Sequence, residues 1–366
     1  MPTPIALDYR PALLSPAGIG RATRELANAL AAREDVTVHL FAHSLARARV
    51  ALPVPPRAQL HRLPIPGRCL PFLARCGLGA DRLAGGVPVF HWTDYVMPPV
   101  SRARVVLTVH DLAFVRDSRW HGDDAAVLRE RTRAAIATAA ALVVPSQATA
   151  ADLRAFAPDA PRTHVIPFGA AHVPGRTTNG KVAAAPFGDR PYVLCVGTIE
   201  PRKNHLALLA AFRQLPAPRP QLLVVGRIGW QCDAIVAALR AAAAEGWLTW
   251  RQDVDDAALW PLLQHAAALA YPSAWEGFGF PPLEAMQLGV PVVANDVAPL
   301  RELGDGAFLF ADADDPSALA AALDRAVHDA GARAAAIAAG HRRAQQYRWA
   351  DCAKAHAAVY REVAAC

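Results

Sequence analysis

The sequence predicts an α/β protein built from two doubly wound parallel sheets, and three observations carry that expectation. Short apolar runs such as VVLTV, ALVV and LLVV alternate with alanine-rich stretches of helical length along the whole chain. Several of these runs are apolar at every position, as strands buried on both faces of a parallel sheet must be. The alternation breaks once, at the aperiodic stretch 170–191, rich in Gly, Pro, Thr and Asn, and a new strand begins immediately after it. Strand–helix alternation on both sides of a single break is the pattern of two Rossmann-like domains.

The strands of the first half are expected at 5–10, 36–43, 88–92, 104–111, 141–146 and 164–169. Those of the second fall at 192–199, 221–226, 247–253, 268–273, 291–296 and 307–311. Helical stretches at 20–32, 124–139, 204–215, 231–244 and 255–266 lie between them, and the tail is helical again. The expected division is a first domain over 1–172, joined by a returning helix at about 347–366, and a second over 186–346.

A length of 366 residues, 53% of them hydrophobic and 19% charged, suits two globular domains and excludes a disordered chain. No apolar run approaches the ~20 residues that span a bilayer. The start, MPTPIALDYR, lacks a basic segment followed by an apolar one, so no signal peptide is expected. The six cysteines form no CxxC pair and no zinc-like spacing, which points to reduced structural thiols and a cytoplasmic protein. Charge is uneven: 22 Lys/Arg against 13 Asp/Glu over 1–185, and 16 against 19 over 186–366. A basic first half suits contact with an anionic membrane surface. Nothing resembles a nucleic-acid motif.

Ligands of open parallel sheets bind beyond the carboxyl ends of the strands. Two segments there carry chemistry. In VGTIEPRKNHLALLAAF (196–212), a strand ends at Gly197 and Thr198, Arg202 and Lys203 follow, and Asn204 is placed to cap the next helix. Two cations beside a helix amino terminus make an anion site, because unpaired N–H groups and the helix dipole add to the side-chain charge. No GxxxxGK[ST] pattern is present, so this is not a P-loop. In EGFGFPPLE (276–284), Gly277 and Gly279 let the backbone turn, while Pro281 and Pro282 suit a first helical turn, in which Glu284 is expected to lie. One carboxylate on the loop and one on the helix can face a single ligand. Ionised carboxylates accept hydrogen bonds only, which suits vicinal hydroxyls of a sugar.

The segments GTIEPRKN, VVGRIGW and WRQDVDDAALWPLLQHAAALAYPSAWEGFGFPPLEAMQLGVPVVANDVAPLRELGDGA, in that order, resemble the retaining glycosyltransferases of family 4. More loosely, so do PAGIGRATRELANAL, TVHDLAF, VPSQATAADL and VIPFGA in the first half. The resemblance implies the GT-B fold: two Rossmann-like domains facing across a cleft, with the last helix returning to the first. Glu276 and Glu284 match the family's paired-glutamate E-x7-E motif. Arg202 and Lys203 would neutralise the diphosphate of a nucleotide-sugar, Glu284 would accept from the ribose hydroxyls, and Glu276 with the amides of Phe278 and Gly279 would hold the transferred sugar. Gly18 and Gly20 would close over the phosphates or the acceptor, and His110 would contact the sugar near its reacting carbon. The base would rest on Gly226 and its neighbours and on Asp253, Val254 and Leu259. Phe168 stands before Gly169 where the family often has Asn-Gly.

The chain looks most like bacterial members that move mannose from GDP-mannose in surface-polysaccharide or lipopolysaccharide assembly. That implies a saccharide or polyprenyl-diphosphate-linked acceptor and a cytoplasmic, peripheral position at the inner leaflet. No cofactor is implied, and neither a suitable DxD nor a His/Asp cluster suggests a metal site. Alternatives are another GT-B nucleotide-sugar enzyme (an epimerase or a UDP-sugar glucosyl- or N-acetylglucosaminyltransferase) and a non-catalytic membrane-docked subunit. An NAD-dependent dehydrogenase would need a Gly-rich turn with a ribose-binding acid ~20 residues on, and Pro16–Gly20 lacks that pattern.

Overall fold

The computed structural model describes residues 2–15, 18–122, 124–174, 187–188 and 190–365. Most of the expected 170–191 linker, and Pro16 and Ala17, lie outside the described residues. Among the described residues, thirteen strands form two all-parallel sheets. The first holds β1 (Thr3–Asp8), β2 (Val36–His43), β3 (Gln59–Leu63), β4 (Val89–Trp92), β5 (Arg104–Thr108), β6 (Ala141–Val144) and β7 (Thr163–Val165), ordered β3-β2-β1-β4-β5-β6-β7. The second holds β8 (Tyr192–Val196), β9 (Gln221–Val225), β10 (Leu248–Arg251), β11 (Ala268–Tyr271), β12 (Val292–Asn295) and β13 (Phe308–Ala311), ordered β10-β9-β8-β11-β12-β13.

The expected strands are all present, but half of them end two or three residues early, and one ends four early. The apolar run 104–111 stops pairing after Thr108, 141–146 after Val144, 192–199 after Val196 and 164–169 after Val165. The ladder ends where the chain turns away from the sheet: Val109, Ile166 and Ile199 stay buried and apolar beyond it, whereas His110 and Asp111 are half-buried and Thr198 is exposed. Arg10, expected in the first strand, instead opens a short helix, Arg10–Leu14, with Pro11 in its first turn. β3 was not expected, because QLHRL is a partly exposed edge strand with no continuous apolar run.

The chain divides into two compact units. One comprises residues 1–115, 123–169 and 347–366, and the other residues 116–122 and 170–346. The inclusion of 116–122 in the second unit departs from the division read in the sequence. In the first unit, the helix Ile19–Ala31 packs against the last helix, Trp349–Ala365. That last helix turns Trp349, Cys352, His356, Tyr360 and Val363 inward at helical spacing. Tyr360 hydroxyl meets His91 Nδ1 at 2.7 Å, and His91 Nε2 meets Thr108 Oγ1 at 2.7 Å. In the second unit, Val193, Leu208, Phe212, Leu222, Leu239 and Leu323 belong to one buried core. No helix among the described residues is long and apolar enough to cross a membrane.

Candidate active site

Strand order positions the site of the second unit. β8 pairs with β9 on one side and with β11 on the other, so the connections leaving β8 and β11 start from adjacent strand ends. Such a reversal of strand order opens a crevice at the carboxyl edge of a sheet. Segments 197–204 and 272–279 rise from it.

Glycine geometry sets the first segment. A Cβ on Gly226, just past β9, would stand 1.8 Å from Gly197 carbonyl oxygen, so only glycine lets these two strand ends approach. A Cβ on Gly197 would touch the Lys203 stem at 3.4 Å, which places the lysine's methylenes over the glycine. Pro201–Lys203 form one tight 3-10 turn, so Arg202 and Lys203 stand on consecutive positions of a short rigid element. Asn204 precedes the helix His205–Gln214 as expected, but in a left-handed conformation (φ 54°) and without a side-chain capping bond. Its role is to let the chain turn, which its short polar side chain tolerates.

The second segment is locked to the first. Ala274 N–H donates to Arg202 carbonyl at 2.8 Å. Arg202 Nη1 donates to Trp275 carbonyl at 2.8 Å and to Glu276 Oε2 at 2.9 Å, and Nη2 donates to Glu200 Oε1 at 2.7 Å. Lys203 Nζ donates to Glu276 Oε1 at 2.5 Å and to Tyr271 hydroxyl at 3.3 Å. Glu276 therefore offers one carboxylate oxygen to each cation while itself only 7% exposed. Burial pushes its carboxyl up, but Arg202, Lys203 and hydrogen bonds from Lys203 and Ser273 outweigh burial and bring it down to about 2. Glu276 is ionised throughout the physiological range. Burial, and next the charge of Glu276, hold the Tyr271 phenol well above its usual range.

Glu200, Tyr271 and Ser273 were not among the residues singled out from the sequence. Glu200 is the most consequential, because this buried acid brings the cluster to two cations and two carboxylates. The signal was present in EPRKN, an acid two residues before the arginine. Trp275 lies under the Arg116 guanidinium, 3.5 Å from the ring centroid, which ties the 116–122 segment to the residue preceding Glu276.

Glu284 sits on the helix Phe280–Gln287, but at its fifth residue rather than in its first turn. The helix begins at Phe280, ahead of both prolines, which moves Glu284 one turn inward. It is 1% exposed, and its Oε1 lies 3.0 Å from His172 Nε2. His172 contacts the Phe280 ring edge-on. No periodicity announces this histidine, 112 positions away in sequence. Gly279 takes φ 113° at the helix entrance, with Phe278 buried beside it. Gly277 is buried as well.

Of the residues expected at the base, Leu259 is buried in the helix Asp256–Gln264. Asp253 is exposed and Val254 half-buried in the turn before that helix. Thr198 and Ile199 follow β8, and an isolated bridge between Ile199 and Ile228 extends the edge there.

In the first unit, Gly18 takes φ 56° and caps the helix Ile19–Ala31. A Cβ on Gly20 would fall 2.0 Å from Ser15 carbonyl oxygen, so this glycine serves a tight chain crossing. His110 Nε2 donates to Thr93 carbonyl at 2.9 Å, and its ring stacks on Phe168 with centroids 5.8 Å apart. Burial, only partly countered by the Thr93 bond and by Asp94 and Asp111, lowers its pKa, so the imidazole is neutral at pH 7. Phe168, at the departure from the common Asn-Gly, therefore supplies the surface on which His110 rests. Among the described residues, no group of three or more His, Cys, Asp or Glu could hold a metal ion.

Two α/β units with parallel sheets, and an E-x7-E pair following β11 of the second, fit a glycosyltransferase, and the comparisons agree on that class. Residues 179–343 match the family described as Glycosyl transferases group 1, and residues 16–172 match Glycosyltransferase Family 4. The chain belongs to the family 4 glycosyltransferases and has the GT-B fold. It is 39% identical to O-antigen chain mannosyltransferase B of Escherichia coli over 164 residues, 44% of this chain and 43% of that protein. The chain thus spans less than half the length of this relative. Sucrose-phosphate synthase from Thermosynechococcus elongatus superposes with a TM-score of 0.81 at 24% identity, covering 99% of each chain. Anabaena HepE in complex with UDP and glucose superposes at 0.73 with 17% identity, covering 99% and 100%.

Proposed function

We propose that the chain is a retaining hexosyltransferase that moves mannose from GDP-mannose to a saccharide or lipid-linked saccharide acceptor in surface-polysaccharide assembly. The observation that carries this reading is the Arg202–Glu276–Lys203 cluster at the carboxyl ends of β8 and β11. The mannose donor is favoured by the Escherichia coli relative.

Breaking the bond between sugar and phosphate places negative charge on the departing nucleoside diphosphate and positive charge on the sugar ring. Arg202 and Lys203 supply cations for the first of these charges, and Glu276 holds both in place before the donor arrives. Stabilisation preorganised where charge develops raises turnover rather than simple affinity. Glu276 is ill suited to be a nucleophile, since each of its oxygens is already held by a cation and its basicity is correspondingly low. In this reading the acceptor hydroxyl attacks from the leaving-group face, and the departing phosphate oxygen takes its proton. That gives retention without a glycosyl-enzyme, unlike retaining glycosidases. Glu284, paired with His172, accepts from the ribose hydroxyls. In this reading the first unit carries the acceptor, His110 meets the sugar near its reacting carbon, and the Gly18–Gly20 turn meets the phosphates or the acceptor. Because the two cations do the work of charge neutralisation, no metal is required.

A thermal-shift panel of GDP, UDP and ADP tests this reading, because a bound ligand stabilises by mass action. GDP is expected to raise the melting temperature by several degrees and the others less. A shift with UDP alone would reassign the donor, and no shift with any of the three would overturn the reading.

A further inference from the structure

The second sheet carries another cavity, at the edge opposite the donor crevice. β8, β9 and β10 begin at Tyr192, Gln221 and Leu248, and a cavity of about 540 Å3 lies against these amino ends. Pro191, Leu215 and Trp247 give it apolar walls, and Arg190, Arg219 and His328 line it with basic groups. Segments 197–204 and 272–279 leave the carboxyl ends of the same sheet, so none of their residues lines this cavity.

Arg219 is held in place before any ligand arrives. It stands between Pro218 and Pro220 in PAPRP, and the two prolines restrict the backbone that carries it. Its Nη2 donates to Arg213 carbonyl at 3.2 Å, one of the carbonyls left open in the last turn of the helix His205–Gln214. The guanidinium groups of Arg213 and Arg219 lie 5.6 and 5.8 Å from the Trp247 ring centroid. The indole is itself stacked on Phe212, with the ring planes 11° apart. Arg219 Nε has no hydrogen-bond partner among the described residues, and no carboxylate neutralises this arginine there. A guanidinium fixed by packing and by one carbonyl loses little freedom when it meets an anion.

Charge selects the ligand. Glu245 is the one carboxylate among the described lining residues, and both of its oxygens are taken: Oε1 accepts from Arg213 Nη2 and Oε2 from Trp247 Nε1, each at 2.7 Å. The guanidinium groups of Arg190, Arg213 and Arg219, less this carboxylate, leave two positive charges at the cavity. A phosphate monoester carries about −1.5 to −2 at pH 7, and a guanidinium fork meets its oxygens in pairs. The apolar walls suit the sugar or nucleoside body of such an ester, and the volume falls within the ~300–1,000 Å3 of small-molecule sites. We infer that the amino edge of the second sheet binds a small phosphate monoester, with Arg190 and Arg219 on the phosphate and Pro191, Leu215 and Trp247 against the body. This goes beyond the donor chemistry, uses none of its residues and stands independently of it.

Titration calorimetry of the full chain with glucose 6-phosphate, AMP and inorganic phosphate tests the inference. At least one of the two esters is expected to bind one-to-one, and at least tenfold more tightly than inorganic phosphate, which covers no apolar wall. The tighter of the two tells a sugar body from a nucleoside. Arg219→Gln should weaken that binding at least tenfold and Arg190→Gln at least threefold, while Lys203→Met, in the donor site, should leave it unchanged. Arg190 is exposed, so its variant reads the cavity even where Arg219→Gln disturbs the 216–220 turn. Melting temperatures and the response to GDP should match the parent in both arginine variants, which separates loss of this site from loss of fold or of donor binding. No binding of either ester, or parental binding by both well-folded variants, would overturn the inference. So would inorganic phosphate binding as tightly as the esters, or ester binding lost with Lys203→Met, which would place the ester in the donor crevice.

Discussion

Lys203 and Glu276 meet at 2.5 Å across the ends of two neighbouring strands, although 73 residues separate them in sequence. The contact joins the cationic turn after β8 to the loop after β11. It also makes a preorganised charge site out of two otherwise ordinary surface loops.

Replacing Lys203 by alanine removes the cation closest to Glu276. We expect kcat to fall by two to three orders of magnitude, in keeping with ~2–4 kcal/mol for one preorganised charge. Steady-state kinetics with GDP-mannose checks this, and parental turnover by the variant would refute the role assigned to the lysine.

Glu284→Ala should act on donor affinity. Losing a charge-assisted acceptor costs ~1.5–3 kcal/mol, so KM for the donor should rise about 10- to 100-fold with kcat changed far less. A fall in kcat at unchanged KM would instead place Glu284 in the chemical step.

Gly226→Ala tests the close crossing beside β8. With a methyl group aimed at the Gly197 carbonyl from 1.8 Å, the strand ends must separate. Overpacking of this kind costs ~1–3 kcal/mol or more. The melting temperature should drop and the effect of GDP on it should shrink, whereas Gly246→Ala, where a Cβ meets open space but φ is +82°, should only weaken the fold.

Acid stability should be lost in two stages. His356 is buried neutral, with burial lowering its pKa to about 4, and His91 is held well below the usual histidine range by burial and by its histidine neighbours. The unfolded chain takes up these protons first, so stability falls as pH drops below about 6.5 and levels off once pH is below the folded values. Glu276 behaves as a depressed carboxyl: its contribution is present above about 4.5 and is lost as pH falls towards 2. Urea midpoints from pH 8 to 2.5 should decline from about 6.5 in the parent. Lys203→Ala should bring the second loss to higher pH.

Much of this site was legible in the sequence, because residues at the ends of apolar runs had to emerge at the carboxyl edge of a sheet. Arg202, Lys203 and Glu276 follow β8 and β11 as read. What escaped was what only long-range packing decides. Glu200 looked like one more loop acid until burial made it a partner of Arg202. His172 carries no local signal for Glu284. β3 lacks an apolar run because it lies at the sheet edge, and the helix Arg10–Leu14 was hidden by its continuity with β1. The segment 116–122 joins the second unit through Arg116 on Trp275, and through Trp230, whose indole N–H donates to Trp120 carbonyl. No feature of a basic surface stretch announces that.

The claim that Arg202 and Lys203 grip a diphosphate is tested most directly by titration calorimetry with GDP and GMP, which differ by the β-phosphate. GDP is expected to bind the parent at least 100-fold more tightly than GMP, corresponding to ~2.7 kcal/mol, and Lys203→Met should erase most of that ratio. Equal affinity for GDP and GMP, or a ratio that survives Lys203→Met, would contradict the account.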